Sequence, residues 1–148
     1  MSKRICLALI PLAAGLMSLC AQAQELPYKD GPVLDVTSIR VQDGKFFEYW
    51  DFLQTKWKSL MEEEKKQGLV LSYNVYSAVP HSPQDPNLIL VVSYPNFAAL
   101  DGLMAKESAI EQRLFGASPQ KSEEMSGQRA PLRVILGDDY LQELQFKK

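Results

Sequence analysis

The run LILVVSY, Leu88 to Tyr94, constrains the fold more than any other stretch of the chain. It is almost wholly apolar and rich in β-branched residues, and Asn87 and Pro95-Asn96 bound it. A strand with no polar side belongs in the middle of a sheet, buried on both faces. Whatever packs on one face of that sheet, something must therefore cover the other.

The remaining segments say what packs where. VLDVTSIRV, Val33 to Val41, alternates, with Val33, Asp35, Thr37, Ile39 and Val41 on one side. Its β-branched content and the flanking Gly31-Pro32 and Asp43-Gly44 predict a strand. Gln24 to Gly31 reads as an extended arm before it. Asp43 reads as the N-cap of a long helix over KFFEYWDFLQTKWKSLMEEEKKQG. Phe46, Trp50, Leu53, Trp57, Leu60 and Met61 recur every three or four residues, and Phe47, Tyr49 and Phe52 widen the stripe. Such a period is the signature of a helix packed on a sheet. The EEEKK run reads as its solvated face, and Gly68 as its stop.

LVLSYNVYSAV, Leu69 to Val79, alternates again, and the proline-rich PHSPQDPN joins it to LILVVSY as a long hairpin. Asn96 then opens a second helix, with Phe97, Leu100, Leu103, Met104, Ile110 and Leu114 as its stripe and Gly116 as its end. The polar segment Ala117 to Ala130 carries no pattern and is expected to be mobile. Two strand-like pieces close the chain, Leu132 to Leu136 and Asp139 to Phe146, with a break at Gly137-Asp138.

Strand, helix, two strands, helix, strand is the βαββαβ order of an α+β, ferredoxin-like sandwich. Both helices then lie on one face of an antiparallel sheet. The economical cover for the other face is a second copy, sheet against sheet, in a two-fold homodimer. This plan, with YKDGPVLDVTSIRV, FFEYWDFL, LSYNVYSAVPHSP and YPNFAALD, resembles the dimeric α/β-barrel superfamily. Within it, the chain is similar to small exported bacterial members of unassigned activity. The likeness covers about Pro27 to Phe146. The superfamily includes cofactor-free monooxygenases, lactone isomerases, haem peroxidases and stress-responsive proteins, so the resemblance implies a fold and leaves the chemistry open.

The N-terminus predicts export. Lys3 and Arg4 precede the apolar ICLALIPLAAGLMSLC, and Ala21-Gln22-Ala23 has the pattern cut by signal peptidase. Cleavage after Ala23 leaves one domain from Gln24 to Lys148, periplasmic or secreted, without a membrane span. Both cysteines, Cys6 and Cys20, leave with the leader. Thiol nucleophiles, zinc-thiolate sites and disulfides are thereby excluded from the mature form. The formal net charge of the whole chain is −2, and losing Lys3 and Arg4 makes it more acidic. No basic stripe for nucleic acid is present.

No Ser-His-Asp order, phosphate loop, HExxH or nucleotide fingerprint occurs, which argues against hydrolases and phosphotransferases. The single histidine, His81, lies in the hairpin loop and reads as an exposed turn residue before it reads as a base. One histidine cannot build a multi-histidine metal site, and a haem ligand belongs beside a pocket helix, so no metal and no cofactor is expected. Polar residues on strands are better placed. Arg40, Tyr73, Tyr76 and His81 are the catalytic candidates. Arg40, Trp50, Tyr73, Asn74 and Tyr94 are the candidates for holding a ligand. Arginine and phenols around an apolar cavity can bind and polarise a small aromatic or enolic molecule. Tyrosines also pack simply as rings between sheet and helix, with hydroxyls at the rim. Asp35 stands out on the core side of the first strand; Asp101, after the first helical turn of FAALD, either caps backbone groups or points into a cleft, and reads first as structural. Three readings follow: a small-molecule binder without catalysis, a cofactor-independent monooxygenase or isomerase on an aromatic or lactone-like substrate, and a module that binds a protein partner.

Overall fold

The computed structural model describes residues 25–147. The expected leader, its cleavage point and both cysteines lie outside them.

Four strands form one antiparallel sheet: β1 (Tyr28–Val41), β2 (Ser72–Ser77), β3 (Leu88–Tyr94) and β4 (Arg133–Phe146), in the order β2-β3-β1-β4. This is the expected ferredoxin-like plan. β3 has the bounds its apolar run predicts. β1 starts earlier than expected, because the arm from Tyr28 pairs with the chain's end, Tyr28 opposite Phe146. β4 is one strand, not two pieces. The expected break is a bulge: Ile39 faces Ile135 while Ser38 faces Gly137, leaving Leu136 as the extra residue.

The register sorts side chains between the faces. Tyr73, Val92, Asp35 and Tyr140 form one cross-strand row, and Val75, Leu90, Thr37 and Asp138 the next. These rows point toward the helices. Val33, Ile39, Val41, Leu88, Leu90, Val92 and Tyr94 from this side are buried. Asn74, Val91, Val36 and Asp139 form a row on the opposite face. No helix of the described residues covers that face.

The first helical stretch runs as α1 (Phe46–Phe52), a π-helical turn (Leu53–Trp57) and α2 (Lys58–Lys66). Its N-cap position is Lys45, not Asp43; Asp43-Gly44 forms a turn, with Gly44 at φ 75°. The buried positions are Tyr49, Leu53, Met61 and Glu64, with Trp57 packed against both halves of the core. Phe46, Phe47 and Trp50, expected in the stripe, are exposed. The π-turn explains this. An α-helix turns about 100° per residue, so positions four apart drift by about 40°. Tyr49, Leu53, Trp57 and Met61 are spaced by four. The wider π repeat takes back much of the drift and keeps them over the sheet.

The second helix also differs from its expected form. Asn96 caps only a 3-10 turn, Phe97–Leu100, accepting from the Ala99 N–H at 3.0 Å. Gly102, at φ 66°, breaks the stripe before α3 (Leu103–Phe115) begins. Leu103 and Ile110 are buried, whereas Met104 points outward. Within the Ala117–Ala130 segment, expected to be patternless, lies a helix, α4 (Pro119–Gln128). Ser118 caps it and Pro119 starts it, a signal of the kind that opens helices even in polar sequence. Arg129, just past its end, lays its guanidinium 4.2 Å from the Phe52 ring centroid and so ties α4 to α1.

Candidate functional site

Two places on the helix side of the sheet hold chemistry-bearing side chains. The first is a groove at the β2 edge. Trp50, Leu53, Gln54, Trp57 and Lys58 from the helix, with Tyr73 and Val75 from β2, enclose about 280 Å³. The π-turn supplies Leu53, Gln54 and Trp57, three of the five helical residues that line it. π-turns recur at functional sites because the wider backbone re-aims neighbouring side chains. Trp57 meets Tyr73 edge to face, with centroids 5.3 Å apart. Trp50, 39% exposed, stacks on Phe46. The Tyr73 hydroxyl donates to the Glu62 carboxylate. Burial and this bond push the phenol up to about 12, so it stays neutral and fixed. Lys58 has no ion-pair partner among the described residues. The walls are thus apolar and aromatic, with an amide and an ammonium at the rim. That is the composition of a small-ligand pocket, at the small end of the usual range of about 300–1,000 Å³.

The second place is a group of carboxyls between α2, α3 and the sheet. Glu64 is wholly buried, and neither of its carboxylate oxygens has a hydrogen-bond partner among the described residues. It belongs to the EEEKK run expected to be solvated. Burial, then Glu107 and Glu111 of α3, push it up to about 8. Asp35 on β1 is raised by burial and by Asp138; the Tyr140 hydroxyl partly offsets this. Glu107 is raised by burial, Glu111 and Asp35. Tyr94 stands at the centre, its phenol raised by burial and by Glu107, Glu64, Asp35 and Tyr140. Tyr140, raised by burial and by Asp35, lies at the accessible side.

The expected site residues therefore divide among four places. Trp50 and Tyr73 both line the groove. Tyr94 sits among the carboxyls. Arg40, Asn74 and Tyr76 occupy positions of the opposite sheet face. Arg40 Nη1 is bound to loop carbonyls, 2.6 Å from Asp85 O and 3.3 Å from Ser82 O. His81 is exposed in that loop. Asp85 accepts the backbone N–H groups of His81 and Ser82, each at 2.8 Å, so Asp85 shapes the turn and not the imidazole. Asp101 follows the 3-10 turn, outside both groups. Trp57, Lys58, Gln54, Glu64 and Glu107 were not expected as site residues. For Glu64 the signal was present: Trp57, Leu60, Met61 and Glu64 continue one face at spacings of three, one and three.

Neither a protein-family model nor a curated protein sequence matches the chain. Solved structures do. HapK from Hahella chejuensis is similar over 78% of this chain and 96% of its own, with 12% identity and a TM-score of 0.52. Protein SO0527 from Shewanella oneidensis is similar over 80% of this chain and 98% of its own, with 15% identity and a TM-score of 0.50. Together with the strand order, these likenesses show the chain's fold, which is ferredoxin-like.

Proposed function

We propose that this is an exported small-molecule-binding protein that holds a compact, largely apolar aromatic ligand in the groove between the π-turn and β2. The observation that carries the reading is the groove itself: two tryptophans and a fixed tyrosine around about 280 Å³, at the edge of an otherwise packed helix–sheet interface. Ring-lined walls supply contact area at little entropic cost. A volume of that size admits one or two fused rings.

Binding is favoured over catalysis centred on Arg40. That guanidinium is engaged by two backbone carbonyls and lies on the other face from the groove. An oxygenase or isomerase that polarises its substrate with Arg40 would first have to break the hairpin loop's anchor.

Tryptophan fluorescence titration with 2-naphthol and 1-anilinonaphthalene-8-sulfonate tests the reading. A saturable change is expected for the purified mature chain, weakened at least about tenfold by Trp50→Ala, which removes one wall from a partly exposed position. A flat titration with both probes, or an equal response in the variant, would overturn it. Recovery of the probe unchanged after long incubation is expected of a binder.

We also propose that the open sheet face meets its counterpart in a second copy. Leu34, Val36, Ile89 and Val91 lie half-buried there, and Leu141 and Tyr76 are exposed. Large apolar side chains left open together on a sheet face mark an interaction surface.

A further inference from the structure

We propose that Asp35, Glu64, Glu107, Tyr94 and Tyr140 form a second binding site, separate from the aromatic groove, and that its ligand is a small organic ammonium ion.

Three observations lead there. The first is the unpartnered floor. Both Glu64 oxygens, on α2, and Asp35 Oδ1, on β1, are buried without a hydrogen-bond partner among the described residues, and the Tyr94 phenol feels both carboxyls. Buried acceptors left unpaired cost the fold free energy, and one donor-rich group placed between them would satisfy both. The second is the sign of the surroundings. α2 contributes Glu64, α3 contributes Glu107 and Glu111, β1 Asp35, β4 Asp138 and Tyr140, and β3 Tyr94. Arg113 pairs with Glu63, and Arg129, whose Nε is buried without a hydrogen-bond partner among the described residues, lies over Phe52 and within electrostatic reach of Glu111 but not of Asp35, Glu64 or Glu107. Ser122 already donates to Glu111, so the unmet demand falls on Asp35, Glu64 and Glu107. The third is the spacing. Among the described residues, no three of these carboxyls converge closely enough to hold a metal ion. Metal ions need oxygens at about 2.0–2.6 Å. A substituted ammonium spans wider gaps, since each N–H reaches its own acceptor. The Tyr94 and Tyr140 phenols, within electrostatic reach of Asp35, add acceptor oxygens. Tyr140, at 51% exposure, marks the entry side.

Charge balance follows. Glu64 carries a proton at neutral pH. A bound cation reverses the potential around it, so the carboxyl releases that proton to solvent as the ammonium enters. One positive charge arrives and one leaves.

Isothermal titration of the mature chain with ethylamine, benzylamine and putrescine, and separately with magnesium and calcium chloride, tests this. At pH 8 at least one amine is expected to bind saturably. Its heat should differ between two buffers of unlike ionisation enthalpy, reporting proton release, and its affinity should fall as pH is lowered to 6, by at most about tenfold per unit. Asp35→Asn and Glu64→Gln should each weaken it more than about tenfold while the circular dichroism spectrum is kept; Trp50→Ala should leave it unchanged. The proposal is overturned if no amine binds at pH 8, if either divalent ion saturates the site in their place, or if both carboxyl variants bind like the parent.

Discussion

A carboxyl group with nothing to bond to holds its proton, and Glu64 is such a group. Its value is raised from 4.5 to about 8, so the folded chain binds a proton that the unfolded chain has already lost in the range between. Stability is therefore greatest below about pH 4.5 as far as this group goes. It declines as pH rises toward 8 and levels off above. Glu64→Gln is expected to remove the decline and to stabilise the chain at pH 8 by on the order of a few kcal/mol, read from urea midpoints at pH 5, 7 and 9. Parallel curves for parent and variant would contradict this. Residue by residue, the sequence was legible where side-chain chemistry and period agree. Trp50 and Tyr73 were marked, and both line the groove. Glu64 was misread because charge outweighed its place on the stripe.

At the scale of elements, β3 was legible to the residue, because a run without polar side chains admits one environment. The hairpin loop was legible from its prolines. α4 was not: its side chains are polar all round and its one strong cue is the Ser118-Pro119 start. That makes the cap a disproportionate part of its stability. Ser118→Ala is expected to cost about 1 kcal/mol and to raise amide exchange across Pro119–Gln128, leaving β3 protected. Exchange unchanged in α4 would show that Arg129 on Phe52, and not the cap, holds the helix. The other illegible element was the π-turn. Periodicity read from sequence assumes one constant repeat, and four-residue spacing from Tyr49 to Met61 is satisfied only when the repeat changes midway.

For the molecule as a whole, the order of elements was enough to give the sheet and the side on which helices pack. It also posed the question that the single chain leaves: Val36 and Val91 sit on a face that no layer of the described residues covers. Val91→Glu on this central strand is expected to turn a dimer into a monomer in sedimentation velocity, with little change in circular dichroism. A parent that sediments as a monomer at every concentration would remove the sheet-to-sheet contact. The π-turn carries a different consequence, one of descent. Such a turn is what a single inserted residue leaves behind in an α-helix. A relative one codon shorter between Leu53 and Trp57 would keep the fold, yet its Trp50 would no longer share a groove with its Trp57. Among chains of this plan, length at that turn, more than the identity of any one side chain, should therefore sort those that share a ligand from those that do not.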